Sequence, residues 1–372
     1  MVVVSESGGA AAGIEDDAAY WLAVSRVPYI GPARIERLVQ RFGTLQAAWT
    51  APRDELRTVL EAKPLAELVA ARARVDPHQE RERIEAQGIA VTYPGHPAYP
   101  RLLAEAAGRP SILYMRGALT PADAAGVAIV GTRRSTPYGR QATERIATEL
   151  AQAGVTVISG LARGVDGVAH RAALAAGGRT IAVLGSGADV IYPGEHRRLA
   201  EEIIGAGAIV SEHPPGTPPD AQNFPARNRI ISGMSLGVVV IEAPLRSGAL
   251  ITATFAADQG REVFVVPGSV FSPASAGTNL LLRDGARIVR DGADVLEDLN
   301  LDSHRAASTL QTALPLDGNE RKMYDTVGSE ARHIDELAEA AGLAARDAAA
   351  LLLTMELKGL VRNHGAQYYV RR

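Results

Sequence analysis

The chain has 372 residues, more than a single hydrophobic core usually serves, so two or three domains are expected. Its 47% hydrophobic and 22% charged residues are typical of a folded globular protein, and its net charge of -3 excludes a uniformly basic nucleic-acid coat. The absence of cysteine excludes disulfides, thiol nucleophiles and cysteine-ligated zinc. No stretch approaches the roughly 20 apolar residues of a membrane span, so we expect a cytoplasmic protein without membrane contact.

The first segment, residues 15–80, has apolar residues at helical spacing and predicts a small helical domain of the SAM or helix-hairpin-helix type. Gly31 and Pro32 stand where one helix would end and the next would begin. A hairpin of this kind can present backbone N–H groups to a DNA phosphate, or it can be a purely structural turn. The sequence leaves the role of this segment open.

Residues 88–300 alternate short apolar runs with amphipathic stretches. Such runs are typical of buried parallel strands, and the stretches between them are typical of crossover helices. The segment therefore predicts an α/β fold, a Rossmann-like doubly wound and mostly parallel sheet. The predicted strands are Ile112–Met115, Val127–Val130, Val155–Ser159, Thr180–Leu184, Ala208–Ser211, Gly237–Ile241, Glu262–Val266 and Arg287–Val289. The predicted helices are Tyr138–Ala153, Val165–Ala176, Glu195–Gly205 and Ala249–Gly260.

The C-terminal part of the chain begins with a polar segment, residues 301–316, which predicts a linker. Residues 317–372 predict a winged-helix domain, because three helical stretches precede a small hairpin. The predicted helices are Glu320–Val327, Ile334–Ala341 and Ala344–Lys358, and the predicted hairpin strands are Leu360–Arg362 and Tyr368–Val370.

In a doubly wound sheet, ligands bind beyond the carboxyl ends of the strands, so the loops there form the candidate site. The loop Gly131–Ser135 follows one strand and precedes a helix, with Arg133 and Arg134 beside the start of that helix. Paired arginines at a helix N-terminus suit the phosphates of a nucleic-acid backbone. The loop lacks the G-x-G-x-x-G pattern, so a dinucleotide cofactor is not expected.

Two further loops contain small residues that let a ligand approach the backbone closely. Asp166, at the end of the first of them, is expected to cap the helix that follows. The loops lie at residues 159–166 and 185–193, and their candidate residues are Gly160, Arg163, Ser186 and Gly187.

The segment Asn223–Gly233 combines an aromatic ring, two arginines and an asparagine before an apolar strand, and we expect it to form a fourth loop at the site. Arg227 and Arg229 can hold phosphates while Phe224 stacks on a base, a combination that suits unstacked single strands. The alternative is that Phe224 fills the core and the arginines form structural ion pairs. Ser247 is expected to be the N-cap of a later helix.

The usual motifs of metal and covalent catalysis are missing. The eight histidines form no metal-binding pair, and neither a G-x-S-x-G elbow nor a Walker A loop is present, so we expect no metal, no cofactor and no catalysis. One alternative is a nucleotide-processing hydrolase that uses Glu242, at the end of a strand, as general acid or base. Another is a winged-helix regulator that binds duplex DNA, although the helix Ala344–Lys358 has only Arg346 and Lys358 as basic residues.

Together these segments resemble the DNA-processing protein A family of natural transformation. The resemblance spans the whole predicted sheet domain and rests on Gly131-Thr132-Arg133, Ser159-Gly160-Leu161-Ala162-Arg163-Gly164-Val165-Asp166, Phe224-Pro225-Ala226-Arg227-Asn228-Arg229-Ile230-Ile231-Ser232-Gly233, Ser247-Gly248-Ala249-Leu250-Ile251-Thr252-Ala253, Pro267-Gly268 and Gly277-Thr278-Asn279. It implies a core that dimerises, binds single-stranded DNA in a basic pocket and loads a RecA-type recombinase during natural transformation, or competence, and DNA recombination. A single-strand-binding protein is a further implied partner.

The resemblance also implies which residues contact DNA. By motif position, Arg133 and the segment from Phe224 to Arg229 line the pocket, with Arg163 and Ser186 nearby. Two departures from the family exist: His196 stands where many members have Asn, and the lysines typical of the pocket have no counterpart, so arginines are expected to supply the charge. The full predicted set is Gly131, Thr132, Arg133, Arg134, Gly160, Arg163, Ser186, Gly187, Phe224, Arg227, Asn228, Arg229 and Ser247.

Overall fold

The computed structural model describes residues 17–301, 318–328, 332–357, 361–363 and 367–371. These residues form two compact units, one up to residue 301 and one from residue 318 onward. The first unit contains both the predicted helical domain and the predicted sheet domain, and the boundary between those two domains stays a prediction. The predicted linker lies outside the described residues except for Leu301, which is buried in the core of the first unit.

Helices occupy the first part of this unit, as the spacing of apolar residues predicts. Pro32 begins the second helix directly after Gly31, and Ile35 and Leu38 form its buried face. Trp21 stacks on Tyr93 with the ring centroids 4.6 Å apart, which joins the helices to the sheet. The helices are α1 (residues 17–25), α2 (Pro32–Phe42), α3 (Leu45–Thr50), α4 (Arg53–Leu56), α5 (Ala62–Arg72) and α6 (Pro77–Glu85).

A nine-stranded sheet forms the centre of the first unit. Its strands are β1 (Ala90–Thr92), β2 (Leu113–Gly117), β3 (Gly126–Val130), β4 (Thr156–Ser159), β5 (Thr180–Leu184), β6 (Ala208–Ser211), β7 (Gly237–Val240), β8 (Glu262–Val265) and β9 (Arg287–Ile288). The strand order is β1-β2-β6-β5-β4-β3-β7-β8-β9, parallel from β6 to β9 and antiparallel at β1 and β2. The predicted doubly wound, mostly parallel sheet is confirmed, with the short, partly exposed edge strand β1 as an addition.

The remaining helices of this unit are α7 (Arg101–Glu105), α8 (Pro137–Gln152), α9 (Val165–Ala175), α10 (Arg197–Ala206), α11 (Asn223–Gly233), α12 (Gly248–Asp258), α13 (Ala276–Arg283) and α14 (Gly292–Asp298). They cover both faces of the sheet, and alternate residues of β3 enter two different cores. Ala128 and Val130 lie in the core that contains side chains of α11 and α12, whereas Val127 and Ile129 lie in the core that contains side chains of α8 and α9. This alternation is the two-residue period of a strand buried on both faces.

The expectation of a loop at Asn223–Gly233 is wrong, because this segment is helix α11. Pro225 lies in its first turn, where the missing N–H costs no helical hydrogen bond. Ile230 and Ile231 are buried in the second half of the helix. Only the second half of the helix has buried apolar residues, so the charged and aromatic first half gave no helical spacing to recognise.

The order of the strands reverses between β3 and β7. From β3 the chain runs outward through β4 and β5 to β6, and it then returns to β7 on the other side of β3. The two strands pair in parallel, with Val130 opposite Val240 at their carboxyl ends. Ligands of doubly wound sheets bind at such a switch point, so the fold itself marks this edge as the candidate site.

The second unit has the winged-helix architecture that the sequence predicts. Its elements are α15 (Gly318–Thr326), β10 (Arg332–His333), α16 (Ile334–Ala341), α17 (Ala345–Leu357), β11 (Val361–Asn363) and β12 (Tyr368–Arg371). The strands form an antiparallel sheet in the order β10-β12-β11, in which the two-residue strand β10 was not predicted. Met323, Leu337 and Leu352 are buried in its core. No helix in the described parts of the chain is both long and apolar enough to cross a bilayer.

Candidate nucleic-acid interface

A cavity of about 640 Å³ lies at the switch point, and we call it the strand-end cavity. The β3–α8 loop, helix α11 and the β7–α12 loop supply its walls, through residues such as Thr132, Asn228 and Ser247. A smaller cavity beside it shares Arg133 and Arg227 with it and extends toward the β4–α9 loop. The two cavities therefore form one continuous depression along the carboxyl edge of the sheet.

Most of the predicted DNA-contacting residues meet in this depression, although they come from distant parts of the sequence. Those that line the strand-end cavity or the smaller cavity are Gly131, Thr132, Arg133, Gly160, Arg163, Phe224, Arg227, Asn228 and Ser247. Those that line neither are Arg134, Ser186, Gly187 and Arg229.

Arg227 lines the wall of the cavity although only 4% of it is exposed. Its Nη1 donates a 2.9 Å hydrogen bond to the carbonyl of Gly160, and its Nε has no hydrogen-bond partner among the described residues. Burial lowers the pKa of Arg227 to about 10, while Asp166 opposes that change, so the guanidinium stays charged at neutral pH. A charge held in a low-dielectric wall attracts an anion more strongly than one that is surrounded by water.

Asp166 is the only carboxylate among the described residues that line the strand-end cavity. It accepts hydrogen bonds from the backbone N–H groups of Gly160 and Ala162, at 3.1 and 3.3 Å. Burial raises its pKa, and the nearby Arg227 opposes that change. The expectation that Asp166 caps helix α9 is wrong, since α9 follows Gly164 without a side-chain cap. The carboxylate instead holds the β4–α9 loop against the cavity.

An aromatic wall stands beside these charges. The rings of Tyr192 and Phe224 have centroids 5.5 Å apart and an angle of 37° between their planes. The guanidinium of Arg133 lies 5.4 Å from the centroid of the Phe224 ring, a cation–π arrangement. A ring beside a cation can hold an unstacked base next to its own phosphate.

Two cations of the strand-end cavity are free to bind an anion. Arg133 and Arg246 are exposed, and neither forms an ion pair with any described residue. Sequence reasoning did not select Arg246 or Tyr192. The signal for Arg246 was its place directly before the N-cap Ser247, in the loop that follows a strand at the switch point. The signal for Tyr192 was its place in the glycine-rich loop at residues 185–193.

The other arginine at the edge of the depression already has an anionic partner. Arg163 is exposed and pairs with Glu195 through two hydrogen bonds, from Nε at 2.5 Å and from Nη2 at 2.9 Å. Its charge is therefore compensated before any ligand binds.

Four predicted residues are placed elsewhere. Arg229 donates from Nη2 and Nη1 to the carboxylate of Glu212, at 2.6 and 3.0 Å, in a partly buried ion pair. The Ser186 hydroxyl is buried and donates to the carbonyl of Val190, which stabilises its own loop. The backbone N–H of Gly187 donates to Thr217. Arg134 is exposed and donates from its backbone to the hydroxyl of Thr132.

Asn228 and Ser247 fix the start of helix α12. Asn228 donates from Nδ2 to the carbonyl of Gly248 over 3.2 Å. The Ser247 hydroxyl accepts from the N–H of Ala249 at 3.3 Å, which confirms its predicted role as an N-cap. Both residues line the strand-end cavity and also hold its shape.

Glu242, the candidate acid or base of the hydrolase alternative, is 2% exposed. One carboxylate oxygen accepts from the backbone N–H of Thr136 at 2.9 Å, and the other accepts from the Thr136 hydroxyl. The carboxylate thus anchors the residue that caps helix α8. Among the described residues, no group of three or more histidine, aspartate or glutamate side chains is placed to hold a metal ion.

Comparison with protein families gives two matches along the chain. The family described as DNA recombination-mediator protein A matches residues 90–300, which include the whole sheet and the strand-end cavity. The family described as DprA winged helix domain matches residues 306–367.

Individual relatives cover between about half and nearly all of the chain. Protein Smf of Synechocystis is 36% identical over 95% of this chain and 98% of its own length, and the Protein Smf of Escherichia coli is 41% identical over 71% of this chain and 72% of its own length. Among solved structures, DNA processing protein A of Streptococcus pneumoniae has 33% identity and a TM-score of 0.65, covering 76% of this chain and 97% of its own. DNA processing protein A of Helicobacter pylori has 32% identity and a TM-score of 0.51, covering 57% of this chain and 96% of its own.

Proposed function

Because this chain belongs to the DNA recombination-mediator protein A family, we propose that it binds single-stranded DNA in the strand-end cavity and delivers the strand to a RecA-type recombinase. In this proposal the protein acts in the uptake and recombination of transforming DNA, in the cytoplasm, and performs no catalytic step. Support comes from the family, from the Helicobacter pylori relative, whose structure concerns single-stranded DNA binding, and from the residues of the cavity.

The observation that carries the proposal is the placement of Arg227. Its guanidinium is buried in the cavity wall and charged, and its Nε lacks a partner among the described residues. Arg133 and Arg246 add two charges at the same cavity that form no ion pair with a described residue. We assign these three arginines to the phosphates of the strand, because charge-assisted hydrogen bonds from guanidinium groups suit phosphate oxygens.

The aromatic wall supports a preference for single strands. Tyr192 and Phe224 offer ring surfaces on which an unstacked base can lie, and a duplex keeps its bases stacked inside. Since every base has a π-face, we expect little preference for sequence. A homodimer would place two such cavities on one strand and increase its avidity without new contacts.

Fluorescence anisotropy with labelled oligo-dT and a matched duplex tests DNA binding. We expect the wild-type protein to bind the single strand more tightly than the duplex. The slope of log K against log salt concentration should be about -0.7 for each phosphate that the protein neutralises. The double variant Arg133→Ala/Arg246→Ala should lose most of this binding and most of the salt dependence. Equal affinity for duplex and single strand, or a double variant that binds like wild type, would refute the assignment of the cavity.

Recombinase delivery needs a separate assay. Single-stranded DNA is first coated with a single-strand-binding protein, and filament formation by a RecA-type recombinase is followed by its ATP hydrolysis. We expect the wild-type protein to shorten the lag before hydrolysis and the double variant not to shorten it. A lag that is unchanged by the wild-type protein would remove recombinase loading from the proposal and leave DNA binding in place.

A further inference from the structure

A second cavity, of about 510 Å³, lies on the other side of Glu242, and we call it the hydroxyl cavity. Its volume is within the range of about 300–1,000 Å³ that small-molecule sites occupy. The start of helix α8 and the β8–α13 loop border it, and it is open to solvent on one side. Five of its lining residues carry hydroxyl groups: Thr136, Tyr138, Ser269, Ser272 and Ser275.

One of these hydroxyl groups is free to form a hydrogen bond with a ligand. Ser275 is 3% exposed and lines the cavity, and its hydroxyl forms no hydrogen bond with any described residue. The hydroxyl oxygen of Ser275 is not fully buried, so the small exposed part of this residue includes the hydroxyl. Buried polar groups are nearly always paired, so an almost buried, unpartnered hydroxyl on a cavity wall can hydrogen-bond a ligand there.

The charges of the hydroxyl cavity exclude a phosphate as its occupant. None of the described residues that line it is an arginine, lysine or histidine, whereas Glu242 contributes a buried carboxylate. A phosphate would be repelled by this carboxylate and would find no cation to compensate it. Hydroxyl groups and a carboxylate suit a neutral molecule with N–H and C=O groups, such as a nucleobase with its sugar.

Glu242 separates the hydroxyl cavity from the strand-end cavity. The backbone carbonyl of Glu242 accepts a 2.7 Å hydrogen bond from the N–H of Thr132, which lines the strand-end cavity, while the Glu242 side chain lines the hydroxyl cavity. Phe271 lies between the lining residues Ser269 and Ser272 in sequence and is 93% exposed. An exposed ring in a loop that borders a polar cavity offers a stacking surface for a base.

We infer that the hydroxyl cavity binds the neutral base and sugar of a nucleotide in the same single strand whose phosphates lie in the strand-end cavity. Ser275 and Ser272 donate to the base or sugar oxygens, and Tyr138 forms one wall. This inference rests on the proposed function, and it adds a nucleoside subsite to it. A free nucleoside has the same chemistry, so the experiment has to distinguish the two sources.

Photo-crosslinking tests the subsite in the full-length protein. A 5-iododeoxyuridine is placed at each position in turn of an oligo-dT, since this base crosslinks to nearby aromatic rings, and the product is digested with trypsin. Cleavage after Arg134 and Arg140 releases residues 135–140, which contain Tyr138 of the hydroxyl cavity. Residues 180–197 and 199–227 are released as the peptides that contain Tyr192 and Phe224 of the strand-end cavity.

We expect some positions of the oligonucleotide to crosslink to the strand-end peptides and a nearby position to crosslink to residues 135–140. Ser275→Ala should reduce only the second crosslink, by about 2- to 10-fold, as expected for the loss of one neutral hydrogen bond. The matched control is Ser235→Ala, which changes a buried serine that lines neither cavity and whose hydroxyl donates to the backbone carbonyl of Ile231. Circular dichroism confirms that both variants are folded.

Three outcomes would overturn the inference, and they differ in what they say of the proposed function. Crosslinks to the strand-end peptides without any to residues 135–140 would refute the subsite and leave the proposed function standing. A crosslink to residues 135–140 from free 5-iododeoxyuridine, but not from the oligonucleotide, would show a site for free nucleosides instead. An oligonucleotide that does not bind at all would refute both.

Discussion

Arg227 and Gly160 are joined by a 2.9 Å hydrogen bond from a buried guanidinium to a backbone carbonyl, across 67 positions of sequence. This bond ties helix α11 to the β4–α9 loop at the point where both border the strand-end cavity. The same loop is held from its other side by Asp166. The cation that we assign to phosphate binding therefore also maintains the shape of the cavity.

Substitution of Arg227 should consequently affect stability as well as DNA binding. Arg227→Met leaves the buried carbonyl of Gly160 without its donor, and we expect a loss of about 1–3 kcal/mol in the free energy of unfolding. Arg227→Lys keeps a positive charge but not the planar, forked donor, and it should restore part of the DNA affinity. Thermal unfolding and anisotropy on the same samples give both quantities. Unchanged stability in Arg227→Met would contradict the claim that Arg227 maintains the shape of the cavity.

Arg133 should act mainly on DNA binding, because it is exposed and its side chain forms no hydrogen bond or ion pair with a described residue, only the cation–π contact with Phe224. Arg133→Ala removes a charge-assisted hydrogen bond worth about 1.5–3 kcal/mol, so we expect a 10- to 150-fold weaker affinity for oligo-dT. The slope of log K against log salt should become shallower by about 0.7 for each phosphate that the variant no longer neutralises. Arg134→Ala is the matched control, since Arg134 is the next residue, is exposed and lines neither cavity. Equally weakened binding in the two variants would mean that general surface charge, not the cavity, binds the strand.

Phe224 should contribute through its ring. Phe224→Leu keeps an apolar side chain against Gly185, which lies close to the ring, but it removes the aromatic face. We expect it to weaken binding by about 1–3 kcal/mol, as the loss of one base-stacking partner does, with little change in melting temperature. Tyr192→Leu should act in the same direction. Anisotropy titrations with oligo-dT measure the effect, and full affinity in both leucine variants would exclude stacking on this wall.

Arg229 should behave differently from the arginines of the cavity. Its ion pair with Glu212 is partly buried, with side-chain exposures of 20% and 19%, so Arg229→Gln should cost about 1–3 kcal/mol of stability, between the values for exposed and fully buried pairs. DNA affinity should be essentially unchanged at temperatures where the variant is folded. Urea unfolding and anisotropy separate the two effects. A large loss of affinity in a fully folded variant would return Arg229 to the DNA site, as its motif position predicts.

His170 should make stability depend on pH. Burial lowers its pKa from 6.5 to about 3, and its Nε2 has no partner among the described residues. Above pH 6.5 the ring is neutral whether the protein is folded or unfolded. As the pH falls from 6.5 toward 3 only the unfolded chain takes up the proton, so the free energy of unfolding should fall by about 1.4 kcal/mol per pH unit from this group.

His170→Asn removes this ionisation while an amide can still donate to the Thr180 hydroxyl, which the ring contacts at 2.7 Å through Nδ1. Urea unfolding at a series of pH values below 6.5 should therefore show a smaller slope for the variant than for wild type. Between pH 7.5 and 8.5 the variant and wild type should differ by a constant amount. The same slope in both proteins below pH 6.5 would show that His170 is not the group responsible.

Local patterns in the sequence were sufficient for most of the fold. The parallel strands, the winged helix and four of the crossover helices, α8, α9, α10 and α12, follow from the spacing of apolar residues, because the buried residues of each element recur with the period of its own backbone. The strands that this spacing does not predict, β1 and β10, have three and two residues and are only partly buried, so their hydrophobic pattern is too short to detect. Helix α11 was mistaken for a loop because its first half mixes charged, aromatic and proline residues and shows no helical spacing of apolar ones.

The sequence by itself determined the set of chemical groups at the site: arginines, an aromatic ring and glycine-rich turns at the ends of strands. Only the tertiary structure decided which of these groups are free to contact DNA. Arg227 and Arg229 are two residues apart on one helix, yet the first points its charge into the cavity wall and the second is neutralised by Glu212. The reason is that ion pairs and burial depend on partners far away in sequence, such as Asp166 and Glu212, and only the folded chain brings those partners together.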